Sequence, residues 1–289
     1  MRLSTFLSLF ILLFACDPNV EFENINPENL ISVTCFISPQ DSVFTAYLYR
    51  ASPLGSTIKT DSASVKDAEV TISDGQNYDT LFLTSELDTD SNRRIYRYSG
   101  TRKHLTISTN SSYLLEVKAP QGIHATATCT IPAATESVQI IGAKFDDDYK
   151  FTIEWNNPDL HKYFLLVLEA KGSYENPFPG ATGRIDLRPS LIEEIIFPSD
   201  KQGLSNKYEA MLPYAYLADY AHLKVSVRNI DAGLYKYFKN YQQFEKWDLN
   251  NSGNIFPNFK DVPLIYSNIN GAVGIFGGFN SSSETVIIN

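Results

Sequence analysis

Cys16 is the residue whose surroundings most narrowly specify a reaction. It follows Leu13-Phe14-Ala15, so a small residue precedes the thiol and an apolar one stands three positions back. At that pattern bacterial prolipoproteins are acylated on sulfur and then cleaved, which leaves the cysteine as the new N-terminus. Upstream, Arg2 supplies a short cationic start, and Phe6 to Phe14 form an apolar run interrupted only by Ser8. The run is much shorter than the ~20 residues of a membrane span and has the length of a signal-peptide core. Residues 1–15 therefore read as a lipoprotein signal peptide and Cys16 as the lipid attachment site. Each buried methylene of an acyl chain contributes ~0.8 kcal/mol, so a multiply acylated N-terminus holds a chain to its membrane.

Two further cysteines, Cys35 and Cys129, fall on the apolar faces of strand-like segments. Disulfides are permitted beyond the cytoplasm. A Cys35–Cys129 bridge would close a loop of about 94 residues and contribute up to ~4–5 kcal/mol if unstrained. The other reading is two separately buried thiols acting as small hydrophobes.

Other chemistry-bearing residues form no recognisable set. The sequence has no G-x-S-x-G, H-E-x-x-H, Walker loop or dinucleotide fingerprint. The four histidines, His104, His124, His161 and His222, are far apart. Asp88-Thr89-Asp90-Ser91-Asn92 opens like a calcium loop but lacks the glycine at its sixth position and the glutamate at its twelfth. It reads as a solvated acidic turn, and Asp146 to Asp148 as a hairpin tip. Gly271, Gly274, Gly277 and Gly278 sit among Val, Ile and Phe with no following helix, which suits close backbone packing or bulges better than a phosphate cradle. No catalytic residue, metal site or cofactor is expected. A hydrolase with a loop-assembled site is the least favoured reading. Its candidates are the aromatics Tyr174, Phe178, Phe256 and Phe259 in loops 172–208 and 248–261, which would suit sugar or peptide stacking.

The elements that must carry these residues are mostly strands. The chain has 289 residues and a formal charge of −9, a balance that argues against nucleic acid as a partner. Apolar residues make up 43%, enough for a core, and 17 Tyr and 18 Phe against 2 Met favour half-buried strands over helical bundles. Residues 16–29 are acidic and turn-rich and read as a tether. From residue 30 the apolar positions alternate. Eight strands are expected in residues 30–133, at Leu30–Ile37, Val43–Tyr49, Ala68–Ser73, Tyr78–Thr84, Arg94–Tyr98, His104–Ser108, Tyr113–Lys118 and His124–Ile131. Asp74-Gly75 marks a hairpin turn. Pro132-Ala133-Ala134 looks like a boundary. In residues 134–289, strands are expected at Ser137–Lys144, Lys150–Trp155, Tyr163–Ala170, near Glu193–Phe197 and at His222–Asn229. Closing strands are expected at Val262–Ser267, Gly271–Phe279 and Thr285–Ile288. A helix near 231–247, capped by Asp231, carries Leu234, Tyr237, Phe238, Tyr241 and Phe244 at helical spacing, a stripe that reads as core. The predicted fold is mainly β. It comprises two antiparallel β-sandwich domains of immunoglobulin or fibronectin-like type, the second carrying one α-helix.

Several of these segments together resemble one family. They are the lipobox, the acidic tether, Ile31-Ser32-Val33, Asp67 to Asp74, Tyr113 to Val117, Ala127 to Pro132, and Tyr266-Ser267-Asn268-Ile269-Asn270-Gly271-Ala272-Val273-Gly274-Ile275-Phe276-Gly277-Gly278-Phe279. The chain resembles the Bacteroidota lipoproteins grouped as domain-of-unknown-function family 4249. The resemblance implies an outer-membrane lipoprotein, anchored through its lipid and often encoded beside a TonB-dependent β-barrel transporter, the expected partner. It supplies no catalytic or ligand residues. The leading expectation is an accessory protein of nutrient uptake, in ligand capture or transporter assembly. The alternative is a structural or adhesion module of the cell envelope that binds protein or glycan without a transporter.

Overall fold

The computed structural model describes residues 30–50, 63–88, 92–134, 136–145, 148–156, 163–171, 173–175, 184–186, 190–198, 205–213, 222–251 and 265–287. Seven strands come first: β1 (Ile31–Ile37), β2 (Val43–Arg50), β3 (Glu69–Ser73), β4 (Tyr78–Asp88), β5 (Arg93–Thr101), β6 (Ser112–Ala119) and β7 (Ile123–Thr130). The rest of the chain carries β8 (Glu136–Phe145), β9 (Asp148–Asn156), β10 (Tyr163–Lys171), β11 (Ser173–Glu175), β12 (Arg184–Asp186), β13 (Ser190–Pro198), β14 (Ser205–Pro213), β15 (His222–Ile230), helix α1 (Ala232–Asn251) and β16 (Val273–Ile287). Among the described residues the protein is mainly β with one long helix, as its residue pattern requires.

One sheet of 11 strands runs β13-β10-β15-β16-β1-β2-β5-β4-β3-β6-β7, beside a three-stranded sheet β14-β9-β8 and the pair β11-β12. The sheet is mixed rather than wholly antiparallel. β16 lies parallel to β1, with Ser32 opposite Val273 and Ile37 opposite Gly278, and it then pairs antiparallel with β15 from Phe279 to Ile287. Two of the expected closing strands are thus one strand of 15 residues. Strands from residues 30–133 and 134–289 share hydrogen bonds through it. Val262–Ser267 does not form a strand in its described part, because the Ser267 and Asn268 side chains take over the pairing. Ser267 Oγ accepts from Gly274 N at 3.1 Å. Asn268 accepts from Phe276 N at 2.9 Å and donates to Phe276 O at 2.8 Å.

Among the described residues of the first segment there are seven strands, not eight. His104–Ser108 forms no strand, and the amides of His104, Leu105 and Ser108 are committed to side chains. Lys103, His104 and Leu105 N donate to the Asp79 carboxylate, and Ser108 N donates to Tyr113 Oη. The glycine cluster does serve close packing. A Cβ on Gly271 would lie 2.2 Å from His124 O, and one on Gly274 would lie 2.0 Å from Val33 O. Both residues hold positive φ, +80° and +121°, which favours glycine. β16 can therefore lie against β7 and β1 at once.

The core divides accordingly. Alternate residues of β1–β7, including Ile31, Val33, Phe44, Val70, Ile72, Leu115 and Val117, close over one another and are capped by Ile269, Ala272 and Phe276. Strand β10 is apolar on both faces. Phe164, Leu166 and Leu168 pack with Trp155 and Phe151 of β9, while Leu165 and Val167 meet Leu234 of α1. The aromatic stripe of α1 is core only in part. Tyr235 stacks on Tyr163 at 4.2 Å and Phe238 lies 5.9 Å from Phe36, but Tyr241 is exposed. At the expected boundary, Pro132 O accepts from Asn280 and Ala133 O accepts from Asn229 at 2.9 Å, which fastens that segment to β15 and β16.

Candidate functional site

The β3–β4 hairpin begins the site. In its Asp74-Gly75 turn, Asp74 Oδ1 accepts from Gln76 N at 2.8 Å and Asn77 N at 2.7 Å, while Gly75 takes positive φ. These hydrogen bonds also hold the Asp74 carboxyl below its ordinary range. The turn fixes Gln76 and Asn77 as a wall and sends β4 out with Tyr78, Thr80 and Phe82 on its outer face.

The buried neighbour Asp79 sets the other wall. Its carboxylate points inward and accepts three successive backbone N–H groups, from Lys103, His104 and Leu105, at 3.1 Å. That clamp curls residues 102–105 over the root of β4 and turns the Lys103 and His104 side chains outward. Ser99 and Thr101 of β5 complete the floor, with Ser99 opposite Phe82 in the pairing.

The result is an open cleft of about 650 Å³ lined by Gln76, Asn77, Tyr78, Thr80, Phe82, Ser99, Thr101, Lys103 and His104. Tyr78 is 63% exposed and Phe82 65%, on one strand face and ~13 Å apart by strand rise. A second depression of about 360 Å³ shares Gln76, Asn77 and Tyr78 and reaches Glu116. There His124 and Lys118 hold the Glu116 carboxyl below its usual range, with His124 Nε2 at 2.8 Å and Lys118 Nζ at 3.3 Å. Chemically the main cleft offers apolar ring faces, hydroxyls, amides and a cationic rim. Asp79, its one carboxylate, is occupied by backbone.

Of the residues singled out in the sequence for chemistry, His104 lines the cleft, and the other described ones lie elsewhere. Cys16 is outside the described residues, as are Phe178, Phe256, Phe259, the side chain of Tyr174, residues 89–91, Asp146 and Asp147. Cys35 and Cys129 are both free and buried, the arrangement of the second of the two readings their sequence leaves open. Each fills the same apolar core as a small hydrophobe, Cys35 on β1 and Cys129 on β7. Burial pushes the Cys35 thiol up to about 12, with the Asp41 charge adding to it, and raises Cys129 well above the ordinary range. Neither is a nucleophile at neutral pH. Among the described residues no group of three or more His, Cys, Asp or Glu could hold a metal ion. No helix among them is long and apolar enough to cross a membrane.

The cleft residues escaped sequence reading because β4 carries apolar side chains on both faces. Tyr78 and Phe82 alternate with Leu81 and Leu83, and the carboxylate Asp79 sits on the buried face, so period two marks neither face as outer. The usable signal was the turn Asp74-Gly75, which placed two aromatics just beyond a hairpin tip.

A family model described as a domain of unknown function, DUF4249, matches residues 17–285. No curated protein matches the chain. One solved structure, of a candidate carbohydrate-binding protein from Bacteroides uniformis, is 9% identical and covers 90% of this chain and 99% of its own. Its TM-score of 0.22 is too low for that likeness to bear on fold or ligand.

Proposed function

The chain belongs to the domain-of-unknown-function family 4249, and from that premise we propose that it is a lipid-anchored accessory protein of the outer membrane. It serves a TonB-dependent nutrient-uptake system by capturing ligand for the barrel. Cys16 after Leu13-Phe14-Ala15 supports the anchor, and the acidic stretch 16–29 supports a tether that holds the folded part away from the lipid. The observation that carries capture is the cleft on β4 and β5, where exposed Tyr78 and Phe82 share one face with Thr80, Ser99 and Thr101. Exposed aromatics rimmed by polar groups on a rigid sheet favour binding without chemistry. The protein acts as a binder rather than an enzyme.

The reading is tested by affinity purification of the tagged protein from native outer membranes in mild detergent, with mass spectrometry of what accompanies it. A stoichiometric TonB-dependent barrel is the expected result. A protein that is membrane-bound but alone, and that cross-linking before extraction also leaves alone, overturns the uptake role in favour of a stand-alone envelope module.

A further inference from the structure

We propose that the β4–β5 cleft is a saccharide site selective for sugars that carry a carboxylate. This inference deepens the capture reading and rests on it. Tyr78 and Phe82 stand on the same face of one strand with most of their surface in water. A pyranose has the complementary surface: a C–H face that stacks on an aromatic ring and a rim of hydroxyls. Between and beside the two rings, Thr80, Ser99 and Thr101 present hydroxyls, and Gln76 and Asn77 present amides. Each of these groups both donates and accepts, which suits the alternating hydroxyls of a sugar better than the fixed donors of a peptide.

The preference for an anion follows from what happens to charge around the cleft. Asp79 would be the group to repel a carboxylate, but its oxygens are turned inward onto the amides of Lys103, His104 and Leu105. The same clamp places the Lys103 side chain at the rim, exposed and without a salt bridge to any described residue. In the adjoining depression Glu116 is paired with Lys118 and hydrogen-bonded to His124, and Glu69 lines the same depression. A chain of formal charge −9 thus presents an exposed lysine at the rim of this cleft. At physiological salt the field of a distant acidic surface is screened within ~8 Å, so the local Lys103 charge governs what is bound.

The test is isothermal titration of the full mature chain with galacturonate oligomers and with galactose oligomers of the same length. The expected result is that the acidic oligomer binds and weakens as salt is raised. Tyr78→Ala and Phe82→Ala each reduce its affinity about tenfold or more, a change of ~1.4 kcal/mol. Lys103→Met reduces affinity for the acidic oligomer alone and removes the salt dependence. Circular dichroism and melting curves of the three variants, unchanged from wild type, confirm that the surface changes leave the fold intact. Equal binding of both oligomers with no effect of Lys103→Met overturns the carboxylate preference. Absence of binding, or binding untouched by Tyr78→Ala and Phe82→Ala, overturns the saccharide site. Neither of these results touches the capture reading, which stands or falls on co-purification with the barrel.

Discussion

Cys35 and Cys129 show how one residue type divides by environment within a single chain. Both are buried, and both lie in a core whose other members are Val, Ile, Leu and Phe. Taking a thiolate out of water is what raises these thiols, so at pH 8 they stay protonated and unreachable. A chain beginning at residue 17 is expected to show no reaction with a thiol reagent such as Ellman's while folded, and two thiols once denatured. Zero thiols after denaturation would mean that they oxidise to each other. The sequence left bridge and thiols as alternatives because pairing depends on the distance between two side chains, which alternation does not encode. The cleft was hidden for a related reason. Leu81 and Asp79 share the inner face of β4, and an inward carboxylate is legible only once three amides are seen to receive it.

At the scale of elements, local periodicity carries far and long-range partnership does not. The alternation of Ile31, Val33, Cys35 and Ile37 gives β1 because every second residue meets the core, and the 3–4 spacing of α1 gives its packed stripe. His104–Ser108 has the same alternation, yet its His104 and Leu105 amides go to a carboxylate and its Ser108 amide to a phenol, so a strand pattern produces no strand. Asp231 is the junction where sequence reading found half of the role. Its Oδ1 accepts from Leu234 N at 2.6 Å, the helix cap expected from position. Its Oδ2 also accepts from Gly278 N at 2.8 Å, and its own N donates to Gly278 O at 3.0 Å. One carboxylate thus ties the start of α1 to β16. Asp231→Ala should cost about 1–3 kcal/mol at pH 7 through loss of the cap and an orphaned Gly278 N–H. Asp231→Asn keeps one acceptor and turns an amide N–H2 on Gly278 N–H, so it also destabilises. Burial raises the Asp231 carboxyl against the opposing backbone hydrogen bonds. The folded chain therefore holds this proton more tightly than the unfolded one, and ionisation works against the fold. The margin of wild type over Asp231→Asn should narrow as pH rises from about 3.8 through the raised value. Urea midpoints of both proteins across that window check the sign, and a widening margin would refute it.

For the whole molecule, the decisive feature is that the last strand completes the first core. β1 is second in sequence order only to the tether, but one of its two hydrogen-bonding neighbours is β16, some 240 residues later. Phe276 of β16 is fully buried among residues of β1–β7, and Asn270 bridges back to Thr126 of β7 with bonds of 2.8 and 2.9 Å in both directions. Gly271 and Gly274 permit that approach, since any side chain there would strike the backbone of β7 or β1. Composition and turn signals suggest a cut near Pro132, because they register where the chain changes direction and not which strands it later joins. Hydrogen bonding runs across that cut. Residues 30–133 made alone would expose the unpaired edge of β1 along six positions and lose the cover of Ile269, Ala272 and Phe276. The edge then offers free amides and carbonyls to other chains. The expected outcome is a fragment that aggregates or melts without cooperativity. Fusing residues 265–287 to it through a flexible linker should restore a cooperative transition, because that piece supplies both the missing strand and the Ser267–Gly271 clasp. Size-exclusion chromatography and thermal melting of the two fragments decide the point. A soluble, cooperatively melting 30–133 would show that β16 is an accessory to a self-sufficient first unit, and the parallel β1–β16 pairing would then be a docking contact rather than part of its core.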